Sequence, residues 1–133
     1  MEQQVTPYLL YEDGEAAIEF LTKAFGFREE RRMTGNAGGM HAELEVAPDG
    51  GWIHLGQPTD GFRNPAVVGK TSLVYVIVDA DLDGHHARAK AAGARIIEEP
   101  ADQDYGYRRY GCVDPQGHEW YFAQPIAKEA SHG

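Results

Sequence analysis

The chain repeats its own pattern at an offset of 67 residues. The segment Pro48-Asp49-Gly50 corresponds to Pro115-Gln116-Gly117, and Gly26, which follows a helical pattern, corresponds to Gly93. A fixed internal period indicates that one supersecondary unit occurs twice. One unit by itself leaves a sheet face uncovered, so the second unit, or a second chain, must enclose that face.

Local patterns predict the same order of elements, βαβββ, in both halves. Met40 to Val46 alternates between apolar and polar side chains, as strands do, and Ala17 to Phe25 has apolar residues at helical spacing. The predicted fold class is α+β, with two tandem βαβββ modules forming a curled mixed sheet around a cavity and helices on the convex side. We expect a single domain, 1–133, with module one at 5–56, a linker at 57–70 and module two at 71–124.

Charge and composition exclude several classes of partner. The formal net charge is -9, whereas nucleic-acid binding requires a dense basic surface, so we expect no nucleic-acid partner. No apolar run is long enough for a membrane span, and no charged-then-apolar leader opens the chain, so we expect no membrane partner and a cytoplasmic location. Cys112 is the single cysteine, which excludes an internal disulfide and fits a buried structural thiol.

Two segments carry a family resemblance that covers nearly the whole chain. Residues 13–27 (DGEAAIEFLTKAFGF) resemble the module opening of the vicinal oxygen chelate superfamily, and residues 114–120 (DPQGHEW) resemble its closing turn and strand. This superfamily includes glyoxalase I, extradiol dioxygenases and bleomycin-resistance proteins, and the chain is closest in type to the metal-free bleomycin-resistance-like members. The resemblance implies the duplicated-module fold, which hosts enzymes and binding proteins alike.

The resemblance places the metal ligands of the family's metalloenzymes at Thr6, His54, Leu73 and Tyr121. Of these, only His54 is a good donor for a divalent ion, because leucine cannot coordinate and hydroxyl groups are poor donors unless ionised. We therefore expect no metal and no cofactor. Two alternatives remain open for the neighbouring strand face: His41 and Glu43 rebuild a metal site with His54, or the face is exposed and solvated.

If the four family positions face a cavity, strand alternation assigns further residues to the same face. The predicted ligand-binding residues are Tyr8, Trp52, His54, Tyr75, Arg108, Glu119 and Tyr121. The aromatic rings suit a planar or amphipathic organic molecule, although aromatic residues also simply fill a core. The constant offset equates Glu43 with Tyr110 and His41 with Arg108, which predicts a polar anchor between Glu43 and Arg108 across the cavity.

Two hypotheses for the function follow. In the first, the protein is a metal-free, homodimeric small-molecule-binding protein of the glyoxalase/bleomycin-resistance type that sequesters or carries an aromatic or amphipathic organic ligand. In the second, it is a glyoxalase-like lyase or isomerase, or a dioxygenase, with a degenerate or rebuilt metal site. His54 would then be a ligand or a general base, since imidazole titrates near neutrality. The three family positions without a good donor favour binding over catalysis.

Overall fold

Two modules with the same order of elements make up the chain. The computed structural model describes residues 5–34, 39–47, 51–58, 61–70 and 72–126. Module one contains β1 (Tyr8–Leu10), α1 (Gly14–Phe25), β2 (Arg28–Thr34), β3 (Met40–Ala47) and β4 (Gly51–Gln57), and a short helix, α2 (Pro65–Val68), follows in the linker. Module two contains β5 (Leu73–Ile77), α3 (Leu82–Ala91), β6 (Arg95–Asp102), β7 (Tyr107–Val113) and β8 (Glu119–Pro125). The predicted α+β class with tandem βαβββ modules is confirmed; residues 48–50 of the expected first turn lie outside the described residues.

Each module folds into its own four-stranded mixed sheet. The strand orders are β1-β4-β3-β2 and β5-β8-β7-β6, so corresponding strands take corresponding places. The first strand of each module pairs in parallel with the last, and this sets Tyr8 opposite His54 in sheet one and Tyr75 opposite Tyr121 in sheet two. The strands β1 and β5 are therefore both edge strands.

The two long helices begin and end at residues that the sequence marks. Asp13 caps α1, because its side chain accepts a hydrogen bond from the Ala16 backbone N–H at 3.0 Å. Gly26 ends α1 in the left-handed region, at φ 77°, which favours glycine. Asp81 caps α3 in the same way, accepting from the Gly84 N–H at 3.1 Å. Within the described ranges, no helix is long and apolar enough to cross a membrane.

The helix-bearing sides of the two sheets share one hydrophobic core. The Phe25 ring of α1 lies 5.2 Å from the Trp120 ring and 4.7 Å from the Phe122 ring of β8, measured between centroids. Across the same boundary, the Tyr11 hydroxyl donates a 2.7 Å hydrogen bond to the Asp114 carboxylate. The modules are thus joined through their helical sides. The opposite face of each sheet, which we call its open face, points away from this core.

Alternation along the strands separates the open faces from the core. On the edge strands, five large side chains of the open faces are 39–50% exposed: Tyr8, Leu10, Leu73, Tyr75 and Ile77. By contrast, the intervening Leu9 and Val76 are each only 8% exposed. The alternation that the sequence predicts for these strands therefore separates an open face from a helix-covered face.

The offset between the modules changes by one residue within the third strand. Glu43 lies opposite His54, but the residue opposite Tyr121 in module two is Gly111 and not Tyr110. A β-bulge near the C-terminal end of β3 adds one residue to module one and causes this change. Tyr110, which a constant offset equates with Glu43, is fully buried on the helix-bearing side.

The predicted anchor between Glu43 and Arg108 is wrong for the same reason. A slip of one residue moves a side chain to the other face of a strand. Arg108 lies on the helix-bearing side, where its guanidinium contacts the carboxylates of Asp83 at 3.0 Å and Asp102 at 2.9 Å. On the open face, Arg109 occupies in β7 the position that His41 occupies in β3.

Candidate functional site

Three donor groups converge on the open face of sheet one. Glu43 lies opposite His54 in the antiparallel β3–β4 pair, and His41 lies two residues from Glu43 on the same face. The His41 Nε2 atom is 2.9 Å from Glu43 Oε2, and the His54 Nε2 atom is 3.8 Å from the same oxygen. One ligand atom from each residue lies within 4.8 Å of those of the other two. We call these three residues the His–Glu–His cluster.

Tyr8 completes the hydrogen bonding of the His–Glu–His cluster. Its hydroxyl is 2.8 Å from His41 Nδ1. When the His41 Nε2–H donates to Glu43, the Nδ1 atom is left to accept from the Tyr8 hydroxyl. The hydrogen bond from His41 lowers the pKa of the Glu43 carboxyl below its usual range, and the nearby His54 adds to this effect. Glu43 is therefore a carboxylate at neutral pH.

The open face of sheet two holds a cationic and aromatic network instead. The Arg109 guanidinium carbon lies 5.4 Å from the centre of the Tyr121 ring, in cation–π contact. Arg109 also donates to the Tyr105 hydroxyl at 2.9 Å and forms an ion pair with Glu98 at 2.8 Å. The Tyr75 hydroxyl is 3.2 Å from the Tyr105 hydroxyl. This face therefore offers aromatic surface beside a guanidinium group.

Gly111 explains why sheet two has no counterpart of Glu43. It occupies on β7 the position that Glu43 occupies on β3. A Cβ atom at Gly111 would lie 2.5 Å from the Tyr121 ring, so any larger residue would displace the ring. The ring of Tyr121 thus covers the strand where sheet one presents a carboxylate.

Glu119 keeps Tyr121 in the neutral phenol form. The Tyr121 hydroxyl donates to Glu119 at 2.7 Å, and this hydrogen bond, with burial as the second cause, raises the pKa of Tyr121 to about 12. Lys70 forms a 2.8 Å ion pair with Glu119 and lowers the pKa of that carboxyl. Glu119 is only 7% exposed, and both contacts compensate its buried charge.

The predicted site residues divide between the two open faces, with one exception. Those on sheet one are Tyr8, Trp52 and His54, and those on sheet two are Tyr75, Glu119 and Tyr121. Arg108 is the exception, on the helix-bearing side. Sequence reasoning missed Arg109, Tyr105 and Glu98, and it left the role of His41 and Glu43 open. Arg109 becomes predictable only when the bulge in β3 is known, and no sequence pattern marked that bulge.

The four positions that the resemblance assigns to a metal do not fit one. Leu73 has no donor atom, and the Tyr121 phenol is protonated and bonded to Glu119. Leu73 and Tyr121 also lie on a different sheet from His54. A divalent ion requires several nitrogen or oxygen donors around it, whereas His54 is the one good donor among these four positions.

Comparisons with known proteins agree with this fold. The family model described as Glyoxalase/Bleomycin resistance protein/Dioxygenase superfamily matches residues 4–122. An uncharacterized protein of Mycobacterium bovis is 31% identical over 143 aligned positions, which cover 95% of this chain and 86% of that protein. The crystal structure of TioX from Micromonospora sp. ML1 superposes with a TM-score of 0.72 at 30% identity, covering 95% of this chain and 98% of TioX.

A more distant structure shows the same architecture. The genomically encoded fosfomycin resistance protein FosX from Listeria monocytogenes has a TM-score of 0.68 at 14% identity, covering 97% of this chain and 98% of FosX. At that identity the likeness concerns the fold alone. The family model, in contrast, matches most of the sequence itself. The chain therefore belongs to the glyoxalase/bleomycin resistance protein/dioxygenase superfamily.

Proposed function

We propose that the protein binds a small aromatic or amphipathic organic molecule, which it sequesters or carries as a homodimer. The observation that carries this proposal is the exposure of large apolar and aromatic side chains on the open faces, where five of them are 39–50% exposed. Contiguous exposed apolar surface marks interaction sites on soluble proteins. The proposed binding requires no metal at the four family positions. A cytoplasmic location stays a prediction.

A second copy of the chain is the partner that the topology favours. The open faces belong to separate sheets, and both point away from the core that joins the modules. A two-fold axis can set the open face of sheet one against the partner's open face of sheet two, and the same axis generates this pairing twice. The edge strands β1 and β5 carry Tyr8 and Tyr75 and would lie at such an interface.

The ligand would be held by aromatic area and by a few polar groups at its edge. Tyr8 and Trp52 would contribute from sheet one, and Tyr75 and Tyr121 from sheet two. We propose Arg109, in place of Arg108, as the anchor for a ligand carboxylate or phosphate, because guanidinium binds such groups bidentately. The superfamily description names bleomycin resistance proteins, and FosX is a fosfomycin resistance protein, which supports an organic ligand for this chain.

The protein should have a mass of about 29 kDa in solution, twice the chain mass of 14.7 kDa. Ile77→Glu should shift the protein toward the monomer, because it places a charge on an open face where the side chain is 47% exposed. Val67→Glu is the matched control, since Val67 is 68% exposed on α2, outside both faces. Sedimentation or light scattering measures the mass. A monomer across the micromolar range would contradict the homodimer, and a dimer indifferent to Ile77→Glu would contradict the open faces as its interface.

Trp52 should respond to a bound ligand, and Trp120 should not. A thermal-shift screen of small molecules identifies a ligand, because a compound that binds only the native state raises the melting temperature. Trp120→Phe leaves Trp52 as the single fluorophore, and Trp52→Phe leaves Trp120, which is fully buried in the shared core. Trp52→Ala should weaken binding by about 2 kcal/mol. The proposal fails if no compound stabilises the protein or if Trp120 alone responds to one.

A further inference from the structure

We propose that the His–Glu–His cluster binds a divalent first-row transition-metal ion. Of its members, only His54 stands at a position that the family resemblance assigns to a metal; His41 and Glu43 lie on β3. The site is confined to the open face of sheet one, so it does not depend on the proposed organic ligand. The expectation of no metal considered the four family positions, and this cluster uses two residues outside them.

Strand pairing fixes the places of the three donors. Glu43 and His54 are register partners in the antiparallel β3–β4 pair, and His41 is the next residue of the same face along β3. The backbone ladder therefore holds all three Cβ atoms, and only side-chain torsions have to adjust to an ion. Donors on strands are positioned more rigidly than donors on loops.

The distances between the donors suit a coordinated ion. With metal–ligand bonds of about 2.1 Å, neighbouring ligand atoms lie about 3.0 Å apart in an octahedral arrangement and about 3.4 Å apart in a tetrahedral one. In the cluster, His41 Nε2 and Glu43 Oε2 are 2.9 Å apart, and His54 Nε2 and Glu43 Oε2 are 3.8 Å apart. All three ligand atoms lie within 4.8 Å of one another, so side-chain rotation that brings the His54 imidazole closer would complete the set.

Tyr8 orients the His41 imidazole for coordination. Its hydroxyl lies 2.8 Å from Nδ1, on the side of the ring opposite to Glu43. When Nε2 binds an ion, Nδ1 carries the proton and donates it in a hydrogen bond to the Tyr8 oxygen. Metal-bound imidazoles in proteins are commonly held by such a contact at the other ring nitrogen, which fixes the tautomer and the ring plane.

The donor set determines the class of ion. Two neutral imidazoles and one carboxylate suit Zn²⁺, Fe²⁺, Co²⁺ or Ni²⁺, whereas Mg²⁺ and Ca²⁺ prefer oxygen ligands throughout. In the single chain the side chains of His41 and Glu43 are each 23% exposed and that of His54 is 30% exposed, so an ion can reach them from the open face. Three protein ligands leave coordination positions for water or for another molecule.

The test is a titration of tag-free, chelator-treated protein with Co²⁺ and Zn²⁺, without any organic ligand. Visible absorption follows Co²⁺ binding, and calorimetry follows Zn²⁺ binding. We expect one equivalent per chain and no comparable binding of Mg²⁺. Glu43→Gln and His41→Gln should each weaken the affinity at least about tenfold, because each removes one ligand atom.

Glu45→Gln is the matched control for this titration. It makes the same chemical change two residues along β3, at a carboxylate that forms an ion pair with Arg28. This variant should bind the ion as the wild type does. Wild-type binding well below one equivalent, or wild-type affinity retained by Glu43→Gln or His41→Gln, would overturn the proposal. Because two cluster variants are compared, the misfolding of one leaves the other as the test.

Discussion

Replacing Asp114 by alanine should lower the free energy of unfolding by about 3–5 kcal/mol. The carboxylate is 4% exposed and accepts hydrogen bonds from the Tyr11 hydroxyl at 2.7 Å and the Trp120 Nε1–H at 3.2 Å. Both donors are buried, so alanine would leave two polar groups without a partner, each at a cost of about 1–3 kcal/mol. Asp114 also accepts from the backbone N–H groups of Gln116 and His118, which holds the turn before β8.

Two further variants separate this effect from a general loss of charge. Tyr11→Phe removes a single hydrogen bond and should cost about 1–2 kcal/mol. Burial, with Asp114 adding, raises the pKa of Tyr11 above its usual range, so its hydroxyl remains a donor at ordinary pH. Asp104→Ala, at an exposed turn residue, should change stability by less than about 0.5 kcal/mol. Urea unfolding at neutral pH measures all three; a loss under about 1 kcal/mol for Asp114→Ala would show that this contact does not join the modules.

Acid should destabilise the protein through His85 of α3. Its ring lies 6.0 Å from the Phe25 ring and 4.3 Å from the Phe122 ring, at the boundary between the modules. The Tyr110 hydroxyl lies 2.6 Å from its Nδ1 atom, within hydrogen-bond distance. Burial, with the positive charge of Arg88 adding, lowers the pKa of His85 to about 4. His85 is therefore packed between Phe25 of module one and Phe122 of its own module.

The direction of the pH effect follows from proton binding. The unfolded chain binds a proton at this imidazole below about pH 6.5, whereas the folded protein resists protonation down to about pH 4. The contribution of His85 to the free energy of unfolding should therefore be fully present above pH 6.5 and should be lost as the pH decreases toward 4. The expected loss from this group reaches about 2–3 kcal/mol at pH 4.5.

The contribution of His85 is measured by comparing stability at several pH values in matched variants. His85→Gln keeps a polar group beside Tyr110 but does not titrate, so it should flatten the decline in unfolding free energy between pH 6.5 and pH 4.5. His86→Gln removes an imidazole from the same helix and should keep the wild-type decline. An equal decline in the wild type and in His85→Gln would assign the acid sensitivity to other groups.

The elements themselves were accessible from the sequence, apart from short or irregular ones. The strand period of β3 and the caps Asp13 and Gly26 located their elements because burial and capping leave local patterns. Cys112 is buried as expected, and burial is the main cause that raises the pKa of its thiol to about 12. The helix Pro65–Val68 was missed, since four residues are too few to show a helical period.

The sequence alone determined the duplicated fold and the division of the edge strands β1 and β5 into an open and a covered face. Both follow from the spacing of apolar residues, which recur every two residues in strands and every 3.6 in helices, and from the 67-residue repeat. Only the tertiary structure decided which polar groups meet. Asp114 and Tyr11 are 103 residues apart, and one bulge in β3 sets Glu43 between two imidazoles while it places Arg109, and not Arg108, on the open face. No local pattern records such contacts, because they depend on strand register and on how the two helical sides pack.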